Sequence, residues 1–196
     1  MRKFTFIFFI TALALVASCK GKDSSRIISE APVKTEILGM KLCEKSNEKS
    51  IQKAVSTATD EAVLIDSQNN DQVGKTVRVI PSSLSFNYGG YSWTYVDVAL
   101  DGEDMISQIT LVASYESVEM ARKQYEAVIK LFTQKYGKGN VHPSNQLTFW
   151  TDDTNSVGVV YDESAAANGN DRSFCSLYYV NIELFDALEE QNVPDI

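Results

Sequence analysis

Between Leu84 and Ser114 the chain reads almost without a break as antiparallel strand, and a helix follows at once. Few folds satisfy both. Leu84-Ser85-Phe86-Asn87-Tyr88 runs into Gly89-Gly90, a pair that supplies the positive φ of a tight turn. Tyr91 to Leu100 (YSWTYVDVAL) is the next strand, Asp101-Gly102-Glu103-Asp104 the next turn, and Met105 to Ser114 (MISQITLVAS) the return. Ser117 then caps a helix that runs to Tyr136. Its apolar stripe is Val118, Ala121, Tyr125, Val128, Phe132 and Tyr136, with Lys123, Glu126, Lys130 and Gln134 opposite. Glu119 sits near the positive end, Lys135 and Lys138 near the negative end, and Gly137 is placed to stop the helix.

The flanking segments fit the same plan. Ile51, Ala54, Val55 and Ala58 share one face of a shorter helix that Ser46 or Asn47 can cap. Ala62 to Asp66 and Thr76 to Ile80 read as strands joined by a loop, Ser67 to Lys75, with Pro81 closing the second. After the long helix, Gln146 to Thr151 and Ser156 to Asp162 form a hairpin around residues 152–155. Residues 163–172 read as a loop, and Ser173 to Phe185 as a last strand. The expected class is α+β: an antiparallel sheet, a helix followed by a β-meander twice over, and both helices on one face. Residues 35–185 make one domain in two halves, about 35–116 and 117–185, followed by an acidic tail over 186–196.

The first residues decide where such a domain goes. Arg2 and Lys3 precede Phe4 to Ser18, which carries no charge. Fifteen helical residues span about 22 Å, short of the ~30 Å hydrocarbon core, so the run reads as a signal peptide over 1–18. Its end, Val16-Ala17-Ser18-Cys19, resembles the lipobox of bacterial lipoproteins. That resemblance implies acylation of Cys19, cleavage before it and a permanent membrane anchor. Lys20 is not the aspartate that retains enterobacterial lipoproteins in the inner membrane, so the resemblance implies an outer-membrane protein facing the periplasm. Residues 19–34 are expected to be lipidated N-terminus and flexible tether. Ile37-Leu38-Gly39-Met40-Lys41-Leu42 and the helix after it resemble small periplasmic lipoproteins with α-β-β repeats, although Cys43 stands where those often have glycine.

Charge excludes some partners. Removing residues 1–18 from the 196 leaves 178, and losing Arg2 and Lys3 takes the net charge from −8 to −10. Such a chain has no basic face for nucleic acid. With Cys19 acylated, Cys43 and Cys175 remain, and in an oxidising compartment they are either one disulfide or two separate buried thiols.

Catalytic chemistry finds little support. His142 is the single histidine, and it lies in a loop away from either cysteine in sequence. No Cys–His nucleophile set and no zinc site of the usual kind can be assembled from that. The paired acids Asp152/Asp153, Asp162/Glu163 and Glu103/Asp104 fall in expected turns, where aspartate serves the backbone. No enzyme, cofactor or metal is expected. The one suggestive set is aromatic. Tyr91, Trp93 and Tyr95 share a strand face, with Trp150 as a further member. Facing solvent, that row could stack on sugars or dock a protein; facing inward, it is core. The expected function is a non-enzymatic envelope lipoprotein that binds another envelope component, most simply a protein. A module for glycan or peptide is the alternative.

Overall fold

The alternating segments join into one eight-stranded antiparallel sheet, and the helices cover one face of it. The computed structural model describes residues 27–70, 74–142, 146–162 and 172–184. Cys19, the expected signal peptide and the expected tail lie outside the described residues, as does all but Arg172 of the expected loop over 163–172.

A small hairpin, β1 (Glu36–Ile37) and β2 (Met40–Lys41), turns at Leu38-Gly39 and buries Ile37, Leu38 and Met40. Helix α1 (Glu48–Thr59) is capped by Asn47, whose side chain accepts the Ser50 N–H. Ile51 and Val55 face the core, but Ala58 is exposed because the helix ends one residue later, at Asp60 in the left-handed region. β3 (Val63–Asn70) and β4 (Gly74–Pro81) follow. The loop expected over 67–75 is instead mostly ladder, since the register continues through Asn69–Lys75 and Asn70–Gly74.

The strand expected from Tyr91 to Leu100 is broken. β5 (Phe86–Tyr88) and β6 (Tyr91–Trp93) pair only with each other, and β7 (Tyr95–Leu100) starts afresh in the main sheet. Thr94 makes the break. Its N–H goes to the Val112 carbonyl at 2.7 Å, and its hydroxyl accepts the Ser114 N–H at 3.0 Å. β8 (Ile106–Tyr115) and helix α2 (Val118–Tyr136) come next. Ser117 caps α2, and its buried residues are Ala121, Tyr125, Val128, Phe132 and Tyr136. β9 (Asn140–Val141), β10 (Leu147–Thr151), β11 (Asn155–Asp162) and β12 (Ser173–Asn181) complete the sheet in the order β3-β4-β7-β8-β12-β11-β10-β9. The last strand therefore lies near the centre, against β8.

Register shows why one face takes both helices. Val77, Val98, Ile109, Tyr179, Val157 and Trp150 stand opposite one another across six strands, and all belong to one core with Ile51, Val55 and Val128. The other face is divided. Over β10, β11 and β12 it buries Leu147, Phe149, Val160, Tyr178 and Val180. Gly158 belongs there, because Tyr178 lies across its Cα and leaves no room for a side chain. Over β3 and β4 the same face exposes Leu64, Asp66, Gln68 and Ile80. Among the described residues no helix is long and apolar enough to cross a membrane.

The segment expected to be a loose tether is bound from Ile27 onward. The Ser29 N–H donates to the Thr151 carbonyl (2.8 Å), Glu30 N–H to Tyr136 (2.9 Å) and Val33 N–H to the Asp152 carboxylate (2.7 Å). Val33 is buried. Composition suggested a linker, but the Thr151 carbonyl beyond the β9 pairing, the Tyr136 carbonyl at the end of α2 and the Asp152 carboxylate supply the acceptors that hold this strap.

Candidate functional site

The aromatic row does not face solvent. Trp93 and Trp150 are both 0% exposed, inside the helix-covered core. Each indole N–H has a carbonyl, Tyr88 for Trp93 (3.0 Å) and Gly137 for Trp150 (2.9 Å), as buried tryptophans require. Trp150 packs on Phe132 at 5.5 Å between ring centroids. Tyr91 leans on α2, its hydroxyl donating to the Ala127 carbonyl at 3.0 Å. Tyr95 lies on the opposite sheet face from Trp93, because the break at Thr94 reverses the alternation. The four residues do not converge, and the sugar-stacking face is withdrawn.

Nor do the cysteines meet. Cys43 and Cys175 are free, the first exposed and the second buried. The Cys43 N–H donates to Ile106, whereas Cys175 stands opposite Ala113, seven residues along the same strand. That offset is about 23 Å, against the roughly 7 Å limit for a bridge. Cys43 adopts φ 65°, the left-handed region that favours glycine. Partial burial, and then Glu183 and Asp101, push its thiol up, while complete burial pushes Cys175 up much further. Neither is an activated nucleophile.

Two of the turn aspartates hold the backbone. Asp152 accepts the Thr154 and Asn155 N–H groups through one oxygen, at 2.9 and 2.7 Å, and Val33 through the other. Asp101 accepts Glu103 and Met105, each at 2.9 Å. Among the described residues no three His, Cys, Asp or Glu side chains converge as a metal would need.

What the fold does assemble is an ion pair on the sheet face opposite α1 and α2. Arg78 and Asp97 stand opposite on β4 and β7. Nε reaches Oδ1 at 2.7 Å and Nη2 reaches Oδ2 at 2.8 Å, a two-pronged contact. The Arg78 guanidinium carbon sits 4.2 Å from the Tyr95 ring centroid. Asp97 is fully buried while the Arg78 side chain remains about a third exposed. Burial pushes the Asp97 carboxyl up and the guanidinium pulls it back; burial pushes Tyr95 up to about 12, with Asp97 adding to it. The signal was present in the sequence. TVRVI and YVDVAL each carry one charge inside an apolar strand, and two opposite charges so placed cancel only if they pair.

Beside this pair lies an open edge. β3 pairs with β4 alone, and among the described residues no strand takes its outer side. Residues 66–69 are exposed, and Leu64 is 65% exposed next to Ile80. The sequence VLIDSQNN holds one charge, no lysine and no proline, so it lacks the usual devices that close an edge. Comparison of the chain with protein-family models, curated proteins and solved structures returns no match.

Proposed function

We propose that this chain is a lipid-anchored protein of the bacterial envelope, held at the outer membrane and facing the periplasm. It is not an enzyme; its folded domain binds another envelope protein. Support for the anchor is the n-region, apolar run and Val16-Ala17-Ser18-Cys19 order. Support for the binding role is one observation above the rest, the eight-residue edge of β3, which no other strand pairs among the described residues. An extended segment of a partner adds there as a further strand. Its backbone satisfies the outer N–H and C=O groups of β3, while Leu64, Ile80 and the Arg78–Asp97–Tyr95 group offer contacts beside it. Main-chain pairing gives affinity, and the side chains on the sheet face opposite α1 and α2 give selectivity.

Photo-cross-linking in intact envelopes tests this. A benzophenone amino acid replaces Leu64 in one variant and Leu131, exposed on α2, in another. One dominant protein adduct from position 64, absent from 131, is the expected result. Equal adducts from both positions, or none from 64, overturn the reading.

A further inference from the structure

We propose that the end of the domain around Ile27, Ile28 and Val141 seats on the bilayer surface, so that the domain is oriented and does not swing freely on its tether. The inference rests on acylation of Cys19 from the reading above. It starts from the hydrogen bonds that hold Ile27 to the domain. Asn140 holds Ile27 by both backbone groups: Ile27 N–H donates to Oδ1 (2.9 Å), and Nδ2 donates to the Ile27 carbonyl (2.8 Å). Ser29 and Glu30 continue the attachment on Thr151 and Tyr136. From Cys19 to Ile27 there are eight peptide steps, which in any conformation reach at most about 29 Å. The end of the domain carrying β9 and the C-terminus of α2 is consequently the end kept near the lipid.

That same end exposes apolar side chains. Ile27 is 37%, Ile28 54% and Val141 58% exposed. Val141 follows Asn140 directly, so all three sit at the Ile27–Asn140 junction. Single exposed aliphatic residues are ordinary on a surface. Three at the point where an anchored chain enters its domain have a defined neighbour, the interfacial zone of the membrane. So small a patch would not hold a free protein, but an anchored one meets the surface at high effective concentration, and weak contacts then fix its pose. The exposed Lys135 and Lys138 lie nearby, at the end of α2, offset by Glu30 against Gly137. The contact is therefore apolar in character and should resist salt.

One consequence links this surface to the partner edge. β9 and β3 are the two ends of the sheet, seven strand spacings apart, or about 34 Å. Seating the β9 end on the bilayer turns the open β3 edge away from the membrane.

The test uses the full lipidated chain with Cys43→Ser, reconstituted in phosphatidylcholine vesicles that carry a spin-labelled acyl chain. An environment-sensitive dye is attached at Ile28→Cys, Val141→Cys or, as a control, Asn69→Cys on β3. Intact mass reads acylation on the same samples. Acylated protein with emission quenched at 28 and 141, unchanged at 69 and persisting at high salt, is the expected result. Acylated protein with no quenching at 28 and 141, or equal quenching at 69, overturns the seating and leaves the anchor standing. An unmodified Cys19 overturns the anchor, and the seating with it.

Discussion

The two ends of the sheet are built from similar alternating strands and finish differently. At the β9 end, residues 27–33 bond in turn to Asn140, Thr151, Tyr136 and Asp152, Trp150 is sealed under the end of α2, and Asp152 joins the strap to the β10–β11 turn. Even the sheet face opposite α1 and α2 is buried there, with Tyr178 laid over Gly158. At the β3 end nothing described pairs with the outer strand, Leu64 stays largely in solvent, and the buried charge is met by a neighbouring strand, not by a covering layer. An edge with free backbone groups is costly to keep, because it invites pairing with any extended chain.

Substitutions should divide the same way. Trp150→Ala removes a buried ring and orphans the Gly137 carbonyl, and should cost about 3–5 kcal/mol. Leu64→Ala at the open end should stay within about 0.5 kcal/mol. Urea titration of both compares the ends directly, and equal losses would erase the distinction. Asp97→Ala leaves Arg78 facing an apolar gap. The guanidinium can turn partly to water, so the expected loss is about 2–3 kcal/mol, below the full range for a broken buried pair. Replacing both residues by aliphatic side chains should recover most of it, which a thermal melt of the single and double variants reads.

Asp152→Ala should cost about 1–2 kcal/mol, since three backbone N–H groups lose their acceptor. Amide exchange should accelerate over 27–34 and the β10–β11 turn and stay unchanged in β3. Uniform acceleration would mean that the strap is not a local closure. The smallest effect concerns pH. Tyr95 titrates at about 12 in the fold against 10 in an open chain. The folded state thus holds that proton more tightly, so the contribution of Tyr95 to stability is complete below pH 10 and falls as pH rises towards 12. Tyr95→Phe should flatten part of that alkaline slope. Tyr115, Tyr125 and Tyr179 and the Cys43 and Cys175 thiols, also raised by burial, contribute to the remainder.

Much of this architecture was legible in the chain because its causes are local. Ser117, the stripe from Ala121 to Tyr136 and Gly137 fix α2 through a cap, a period and a stop, each readable within four residues. The antiparallel α+β class follows from alternation and turn chemistry at Gly89-Gly90 and residues 101–104 in the same way. The aromatic row failed for a specific reason. Alternation assigns a face only while a strand continues, and Thr94 ends it through bonds to Val112 and Ser114 on another strand. Polar composition likewise marked residues 27–34 as a linker, because backbone N–H groups look the same in every sequence and their acceptors lie more than a hundred positions away.

By itself the sequence determined the helices, most of the strands and the antiparallel class, all properties of short-range periodicity and capping. It also carries the motif from which the anchor at Cys19 is argued. Only the tertiary structure decided that Arg78 and Asp97 meet, that Cys43 and Cys175 do not, that both tryptophans are core, and which edge is closed. Those outcomes depend on strand order and register, which are set by long-range burial, and no window of neighbouring residues contains them.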